Sequence, residues 1–363
     1  MTWPEQRARF PVLDRFAYLN AGTFGPLART TIEAMAELRA WEGENGRGGK
    51  AYFEAMIERR ERVRELFAAQ VTASAEQIAL TDSTTQGVHV VVSGLGLDEG
   101  DEVVTTDAEH FGLTGPLLAT GARLRIAKVR GAGAASVFDL IREQVTPRTR
   151  LIAISAVSWI DGTVFPWREL RDATNIPVLV DGAQSVGALE VDATAADFYT
   201  VSAQKWLCGP DSTGALYVRD PDALPPRLVA YPSAESYDIA EGVWEPKAGA
   251  RRFDTAFTPA SSLAGLEAAL VDLPDGRFER ARDMAGRCRD LLLGQGHEVV
   301  TEPGQGTLVS FRFTGDTAAA TVALYDRGVI LRELPGTGLL RASVGWWNDE
   351  GDLERLAAGL AAL

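Results

Sequence analysis

Two apolar runs in the middle of the 363-residue chain each lead into a side chain that can do chemistry. The run VLV at 178–180 ends on the carboxylate of Asp181, and Gln184 follows three residues later. The run TVSA at 200–203 is followed, after one residue, by Lys205. In open α/β sheets, ligands collect at the carboxyl ends of the strands. A lysine amine can form a Schiff base, and a carboxylate can hold a heterocyclic nitrogen protonated. We therefore expect both charged groups to face one site.

Two further strand ends carry groups that suit the same site. The sequence STTQG at 83–87 predicts a helix start, where free N–H groups and the hydroxyls of Thr84 and Thr85 suit a phosphate. His110 follows a predicted strand, and its ring could lie flat on an aromatic ligand. A lysine, a carboxylate, phosphate donors and an aromatic ring together fit pyridoxal 5'-phosphate (PLP). Each signal alone also fits a turn, a surface lysine, a helix cap or a solvated loop, so the prediction depends on their combination.

Alternating patterns along the chain predict an α/β fold with a mostly parallel sheet that is covered on both faces. The predicted strands are short, apolar and rich in β-branched residues, and they cover 77–81, 101–106, 124–129, 151–157, 197–203 and 214–220. The predicted helices of this part cover 29–44, 52–71, 83–96, 111–119 and 136–145. Residues 221–258 have no clear period and are expected to be irregular.

The length of the chain exceeds what one hydrophobic core usually covers, which predicts two domains. We expect residues 1–258 to form the N-terminal segment and a large domain, with the N-terminal segment packing against the small domain. Residues 259–363 are expected to form that small α/β domain. It combines helices at 261–270, 277–295 and the C-terminus with apolar segments at 308–313, 322–328, 329–334 and 339–345.

Charge and composition argue against several classes of partner. The chain carries 36 Lys and Arg against 50 Asp and Glu, a formal net charge of −14, which argues against nucleic acid or an anionic membrane surface. No run approaches 18 apolar residues, and the N-terminus lacks the apolar core of a signal peptide. Cys208 and Cys288 lack metal-ligand spacing, so we expect no metal and a cytoplasmic location. These features favour an enzyme acting on small molecules.

Several motifs together resemble the class V aminotransferase and cysteine desulfurase family of fold-type I PLP enzymes. The resemblance covers nearly the whole chain and is closest to cysteine/cystine C–S lyases and isopenicillin N epimerase-like proteins. The family is typically homodimeric, so the resemblance implies a homodimer and an amino-acid substrate. The matching motifs are YLNAGTFGPL (18–27), LTDSTTQGV (80–88), GDEVVTTDAEH (100–110), LVDGAQSVGAL (179–189), QKWLCGPDSTGALYV (204–218) and LLRASVGWWNDEGDLERL (339–356).

The resemblance implies a role for each matching residue. Lys205 would be the Schiff-base lysine, and Asp181 the partner of the pyridine nitrogen. Gln184 would lie at the ring hydroxyl, His110 would stack on the ring, and the phosphate would be held by Thr84 and Thr85.

The resemblance also implies residues that bind the substrate. Arg332 and Arg341 lie nine positions apart around a PGTG turn, as a carboxylate-binding pair does in the C–S lyases. A bidentate arginine suits an amino-acid carboxylate. Trp159 lies in SWIDGTVFP (158–166), which is similar to the tryptophan-containing loop of these lyases.

Three departures from the family pattern bear on the chemistry. Gln204 stands before the lysine where the family usually has a histidine, and it can still donate to the phosphate without a charge. In RFDTAFTPA (252–260), Phe257 occupies the register of the family's threonine, so Thr258 is the candidate for the phosphate contact from a neighbouring subunit. The loop ELPGTGLL (333–340) lacks the cysteine of persulfide-forming desulfurases, and Cys208 is expected to have a packing role.

These residues predict a C–S lyase acting on a cysteine- or cystine-type amino acid. Lys205 would remove the α-proton, and elimination of sulfur from Cβ would yield pyruvate, ammonia and a reduced or persulfide sulfur product. The same residues also fit an amino-acid epimerase or racemase, or an aminotransferase. A cofactor-free binding protein is a further alternative, against which the intact set of Lys205, Asp181, His110 and Arg341 argues.

Overall fold

The structure is a computed structural model that describes residues 1–255 and 257–363. Most of the apolar runs in the sequence form β-strands. In chain order the strands are β1 Ala17–Tyr18, β2 Ile78–Thr81, β3 Glu102–Thr106, β4 Arg123–Ala127, β5 Thr149–Ser155, β6 Val178–Asp181, β7 Phe198–Ser202, β8 Gly214–Val218, β9 Ala234–Asp238, β10 Val243–Pro246, β11 Leu308–Arg312, β12 Val329–Ile330, β13 Arg332–Leu334 and β14 Leu339–Ser343.

Most helices begin and end close to the positions that the apolar periodicity predicts, but the helices at 3–7, 167–174 and 317–326 were not predicted. In chain order the helices are α1 Trp3–Arg7, α2 Arg29–Asn45, α3 Lys50–Gln70, α4 Thr84–Leu95, α5 Phe111–Ala119, α6 Val137–Arg142, α7 Trp167–Thr174, α8 Ala260–Val271, α9 Arg277–Gly294, α10 Thr317–Asp326 and α11 Glu350–Ala361. The apolar segment at 322–328 therefore lies mostly in a helix, α10. No helix in the described part of the chain is long and apolar enough to cross a membrane.

The central sheet has the strand order β2-β8-β7-β6-β5-β3-β4. Strand β8 runs antiparallel to both of its neighbours, and the other neighbouring pairs are parallel. The packing of strand β6 explains why its sequence is apolar throughout. Val178 and Val180 pack into one core cluster, and Leu179 packs into another. Both faces of this strand are buried, which requires a continuous apolar run rather than alternation. The prediction of an α/β fold with a mostly parallel sheet is confirmed.

A second sheet, with the order β11-β14-β13, is antiparallel. The N-terminal segment reaches this part of the chain, since β1 pairs in parallel with β12. Ala17 and Leu19 are buried in the same cluster as Leu324, Val329 and Leu340. Residues from the two ends of the chain thus share one core. The division at residues 258 and 259 stays a prediction.

The stretch at 221–258 is more regular than its sequence predicts. It contains the antiparallel hairpin of β9 and β10, with Tyr237 paired opposite Trp244. Almost every residue of the two strands is exposed. Because neither face of this hairpin is buried, its sequence shows no alternation of apolar and polar residues, and the strands leave no periodic signal.

Candidate active site

The carboxyl ends of the central strands converge on a cavity of about 240 Å³. Two other parts of the chain close it: the N-terminal segment at 22–24, and the β13–β14 hairpin through its arginines. Ten of the predicted site residues line this cavity, namely Thr84, Thr85, His110, Trp159, Asp181, Gln184, Gln204, Lys205, Arg332 and Arg341. Thr258 is buried elsewhere and does not line it.

The carboxylate of Asp181 is fixed at the end of β6. The side chain is 4% exposed, and its Oδ1 accepts a hydrogen bond from the Ala183 N–H at 2.9 Å. Strand β5 lies beside it in register, with Ser155 paired to Asp181. One carboxylate oxygen is thus engaged by the backbone, and Oδ2 can meet a cationic N–H in the cavity.

The amine of Lys205 is less basic than that of an ordinary lysine. Burial, with the charges of Arg341 and Arg332, lowers its pKa to about 8, while Asp181 opposes the shift. A hydrogen bond from the Gly25 N–H to the Gln204 carbonyl, at 2.8 Å, fixes the backbone just before Lys205. A substantial fraction of the amine is therefore neutral near pH 8, which suits both a nucleophile and a general base.

This depressed pKa predicts how the amine of cofactor-free protein reacts with acetic anhydride. Acetylation of Lys205, followed by mass spectrometry, should rise about tenfold per pH unit below its midpoint and level off above pH 8. The exposed Lys128 is the internal control for the labelling conditions. A midpoint for Lys205 at the ordinary lysine value of about pH 10.4 would contradict the assignment.

Hydroxyl and amide groups gather at the start of α4. Ser83 caps this helix by accepting from the Gln86 N–H, so the N–H groups of Thr84 and Thr85 in the first turn have no partner within the helix. Across the cavity, the Ser202 hydroxyl donates to Gln204 Oε1 at 3.0 Å, which leaves the amide N–H groups of Gln204 to donate. This uncharged donor set, together with the helix dipole, suits a phosphate.

The imidazole of His110 is held at the start of α5. Its Nδ1 accepts from the Gly112 N–H at 3.0 Å, and its ring meets that of Trp159 edge to face, with centroids 5.5 Å apart. Burial lowers the pKa of His110, and the positive charge of Lys205 lowers it further. A neutral ring held in this way can stack on an aromatic ligand without adding positive charge.

The amide of Gln184 is oriented by two buried contacts. It donates through Nε2 to the Gly22 carbonyl at 2.9 Å and accepts at Oε1 from Trp206 Nε1 at 3.0 Å. One of its N–H groups is thus committed to the N-terminal segment. The second N–H is the group that could reach a ring hydroxyl.

Two arginines face each other across the β13–β14 hairpin, since Arg332 and Arg341 are register partners. Arg332 donates to the Thr23 hydroxyl at 3.1 Å. Arg341 is 1% exposed and donates through Nη1 to the Trp159 carbonyl, yet its Nε and Nη2 are buried without a hydrogen-bond partner. Burial, and then the charge of Arg332, lower the pKa of Arg341 to about 9. Two buried guanidinium donors without partners call for an anion.

The space beside this guanidinium depends on a glycine. A Cβ at Gly22 would lie 2.7 Å from Arg341 Nη2 and 2.9 Å from Ser343 Oγ. Any larger residue would therefore press on the buried arginine. Glycine at position 22 thus allows the N-terminal segment to lie close to the Arg341 guanidinium.

The family assignment follows from comparison of the whole sequence. The family model described as aminotransferase class-V matches residues 17–356, a span that includes the ten cavity residues. This chain belongs to the class V aminotransferase family.

Similar class V proteins span almost the full chain. A cysteine desulfurase of Cronobacter sakazakii is 28% identical over 98% of this chain and 96% of its own. The isopenicillin N epimerase of Streptomyces clavuligerus is 27% identical over 99% of this chain and 98% of its own.

Among solved structures, a mutant of C-DES with glycine covalently linked to its PLP cofactor has a TM-score of 0.91, at 27% identity and 98% coverage of both chains. A complex of the cystine C–S lyase C-DES with cysteine persulfide has a TM-score of 0.88, at 27% identity and 97% and 99% coverage. These likenesses confirm the predicted resemblance and the fold-type I architecture.

Sequence reasoning missed several cavity residues of this class V protein. Most are small or hydroxylated, and they include Gly22, Thr23, Phe24, Ser155, Val157, Ala183 and Ser202. Ser155 and Ser202 are the last residues of β5 and β7, so the rule that ligands meet strand ends would have found them. Thr23 carried no such signal, because it reaches the cavity only through the fold.

The thiols and acidic groups provide no alternative chemistry in the described part of the chain. Cys208 and Cys288 are buried free thiols, and burial raises the pKa of both, that of Cys288 to about 12. Neither lines the cavity. No group of three or more His, Cys, Asp or Glu side chains among the described residues could hold a metal ion.

Proposed function

We propose that this class V enzyme cleaves the C–S bond of a cysteine- or cystine-type amino acid by β-elimination, giving pyruvate, ammonia and a reduced or persulfide sulfur product. The observation that carries the proposal is the placement of a lysine with a pKa near 8 and the unpaired donors of Arg341 in one cavity. The names of the similar proteins, cysteine desulfurase and cystine C–S lyase, support a sulfur-containing amino acid as the substrate.

The cofactor expected from the sequence, PLP, is confirmed by membership of the family and by the likeness to PLP-bound C-DES. The cavity residues fit it chemically, with hydroxyl and amide donors for a phosphate, the Asp181 carboxylate for a pyridine nitrogen and the Lys205 amine for the aldehyde. When bound, PLP supplies an electron sink that stabilises negative charge at the substrate Cα.

The chain's own groups then have separable tasks. Arg341, assisted by Arg332, binds the substrate carboxylate and fixes the Cα–H bond relative to Lys205. Lys205 Nζ removes the Cα proton as a neutral amine, which its lowered pKa allows near pH 8. Asp181 Oδ2 would hold a proton at the heterocyclic nitrogen of the cofactor, and His110 would cover one face of its ring.

The residues that line the cavity indicate where the sulfur of the substrate goes after elimination. Val157, Trp159 and Phe24 are the large apolar side chains that line the cavity. Among the described residues no thiol lines it, so an enzyme persulfide has no carrier here and the sulfur leaves with the small-molecule product. This separates the proposed lyase from a persulfide-forming desulfurase.

Product analysis tests the proposal. Protein loaded with PLP is incubated with L-cystine, and pyruvate, ammonia and sulfur products are measured together, with L-alanine as a matched substrate that lacks a leaving group. We expect pyruvate and a persulfide or thiol from L-cystine and no pyruvate from L-alanine alone. A change of configuration at Cα or transfer of the amino group, without pyruvate from L-cystine, would refute the lyase and favour an epimerase or an aminotransferase.

We also propose that the enzyme is a cytoplasmic homodimer. Exposed apolar side chains on α2, α3 and the β9–β10 hairpin support a covered surface, and they include Ile32, Trp41, Phe53, Ile57, Tyr237 and Trp244. In such a dimer Thr258 of the second copy would approach the phosphate. Sedimentation analysis decides the oligomeric state, and a monomer would remove the role proposed for Thr258.

A further inference from the structure

A buried carboxylate, Glu109, lies directly behind the cavity wall and has no part in the chemistry above. It is 8% exposed and precedes His110 in the chain. Its Oε2 accepts from the Ser155 N–H at 2.9 Å and from the Ser155 hydroxyl at 2.5 Å, and its Oε1 accepts from the Thr106 hydroxyl at 2.7 Å. Thr106 ends β3 and Ser155 ends β5, so Glu109 ties together the ends of two neighbouring parallel strands.

This arrangement is built for the ionised form of the carboxyl. Three donors converge on its two oxygens, which satisfies a carboxylate and leaves no acceptor for a carboxylic acid proton unless a hydroxyl turns. Burial nevertheless raises the pKa of Glu109 to about 7, and the charge of Asp181 contributes to that increase. Asp181 is the register partner of Ser155 on the next strand, so two carboxylates flank one serine.

We propose that Glu109 is a positioning residue for the cofactor, which fixes the loop of His110 and places a second carboxylate behind Asp181. Two buried carboxylates repel each other, and a cationic ring nitrogen seated on Asp181 relieves that repulsion. The ionised Glu109 therefore strengthens binding of a protonated pyridine ring. This inference rests on the proposed function for its cofactor but not for the reaction that follows.

The variant Glu109→Gln isolates the charge. The amide oxygen can keep both contacts with Ser155, while the Thr106 hydroxyl turns to accept from the new amide N–H. We expect the Kd of PLP for the cofactor-free protein, measured by quenching of tryptophan fluorescence at pH 8.5, to rise about tenfold.

The melting temperature of Glu109→Gln distinguishes a role of the charge from a purely structural role of the side chain. The raised pKa of Glu109 means that the folded state binds its proton more tightly than the unfolded chain. The cost of the buried charge therefore grows as pH rises from about 4.5 and is complete above about pH 7. Glu109→Gln should raise the Tm of cofactor-free protein by about 2 °C at pH 8.5 and by less at pH 6.

Asp107→Asn is the matched control, since Asp107 lies in the same loop but accepts from the Val129 and Arg130 N–H groups. Its Kd for PLP should stay within twofold of that of the unsubstituted protein. Ser155→Ala removes one hydrogen-bond donor to Glu109 and should raise the Kd for PLP about threefold. It replaces Glu109→Gln in the test if that variant does not fold.

An unchanged Kd in Glu109→Gln, or in Ser155→Ala where that variant replaces it, would overturn the proposal. A higher Kd accompanied by a lower Tm at both pH values would also overturn it, because it would mark a structural tether alone. These outcomes are independent of the lyase assay. Protein that binds PLP yet forms no pyruvate from L-cystine would refute the proposed function and leave the role of Glu109 standing.

Discussion

Replacement of Lys205 by alanine should lower the formation of pyruvate from L-cystine at least about 10³-fold. The amine lines the same cavity as Asp181 and the two arginines, and its pKa of about 8 provides a neutral base near pH 8. No other lysine lines the described cavity, so no neighbouring amine can take over its role. The measurement is kcat with saturating L-cystine, in protein that has been loaded with PLP.

The matched control is Lys128→Ala, which removes a lysine that is 77% exposed. Its kcat should equal that of the unsubstituted enzyme. Partial recovery of Lys205→Ala by added methylamine would identify the missing group as a base rather than as a structural contact. Full activity in Lys205→Ala would refute both the proposed function and the assignment of this lysine.

Replacement of Arg341 by methionine should lower kcat/KM for L-cystine by about 10²- to 10³-fold while leaving the Tm unchanged or raised. Two charge-assisted hydrogen bonds to a carboxylate account for a loss of that size. The guanidinium is almost fully buried, and its Nε and Nη2 have no partner, so the folded protein holds it at a cost. A buried apolar side chain of similar length removes that cost.

Arg312→Met on the neighbouring strand β11 is the control, because Arg312 is exposed and pairs with Glu298. It should change neither kcat/KM nor substrate preference. Arg341→Met should also lose discrimination between L-cystine and its decarboxylated analogue cystamine, since the lost contact is to the carboxylate. An unchanged KM for L-cystine would place the substrate carboxylate elsewhere in the cavity.

Much of the candidate site was predictable because its residues lie at fixed points of local structure. Asp181 ends an apolar strand, Thr84 begins a helix and His110 follows a strand, and each of these boundaries has a short-range sequence signal. The β9–β10 hairpin could not be predicted in this way, because a hairpin with no buried face has no alternating pattern.

The sequence by itself determined the α/β fold, the family and the set of chemical groups at the strand ends. Continuous apolar strands must be buried on both faces, and the parallel strands then bring their carboxyl ends to one edge of the sheet. The sequence thus shows which groups meet at that edge. Their order along the edge follows the strand order β2-β8-β7-β6-β5-β3-β4, which differs from their order along the chain.

Only the tertiary structure decided the electrostatic state of those groups. The lowered pKa of Lys205, the unpaired donors of Arg341 and the charge placed behind Asp181 by Glu109 all depend on burial and on neighbours far away in the chain. Thr23 likewise meets Arg332 only because β1 pairs with β12. Sequence supplies the titratable groups, but desolvation and through-space charge set their behaviour, and both exist only once the chain is folded.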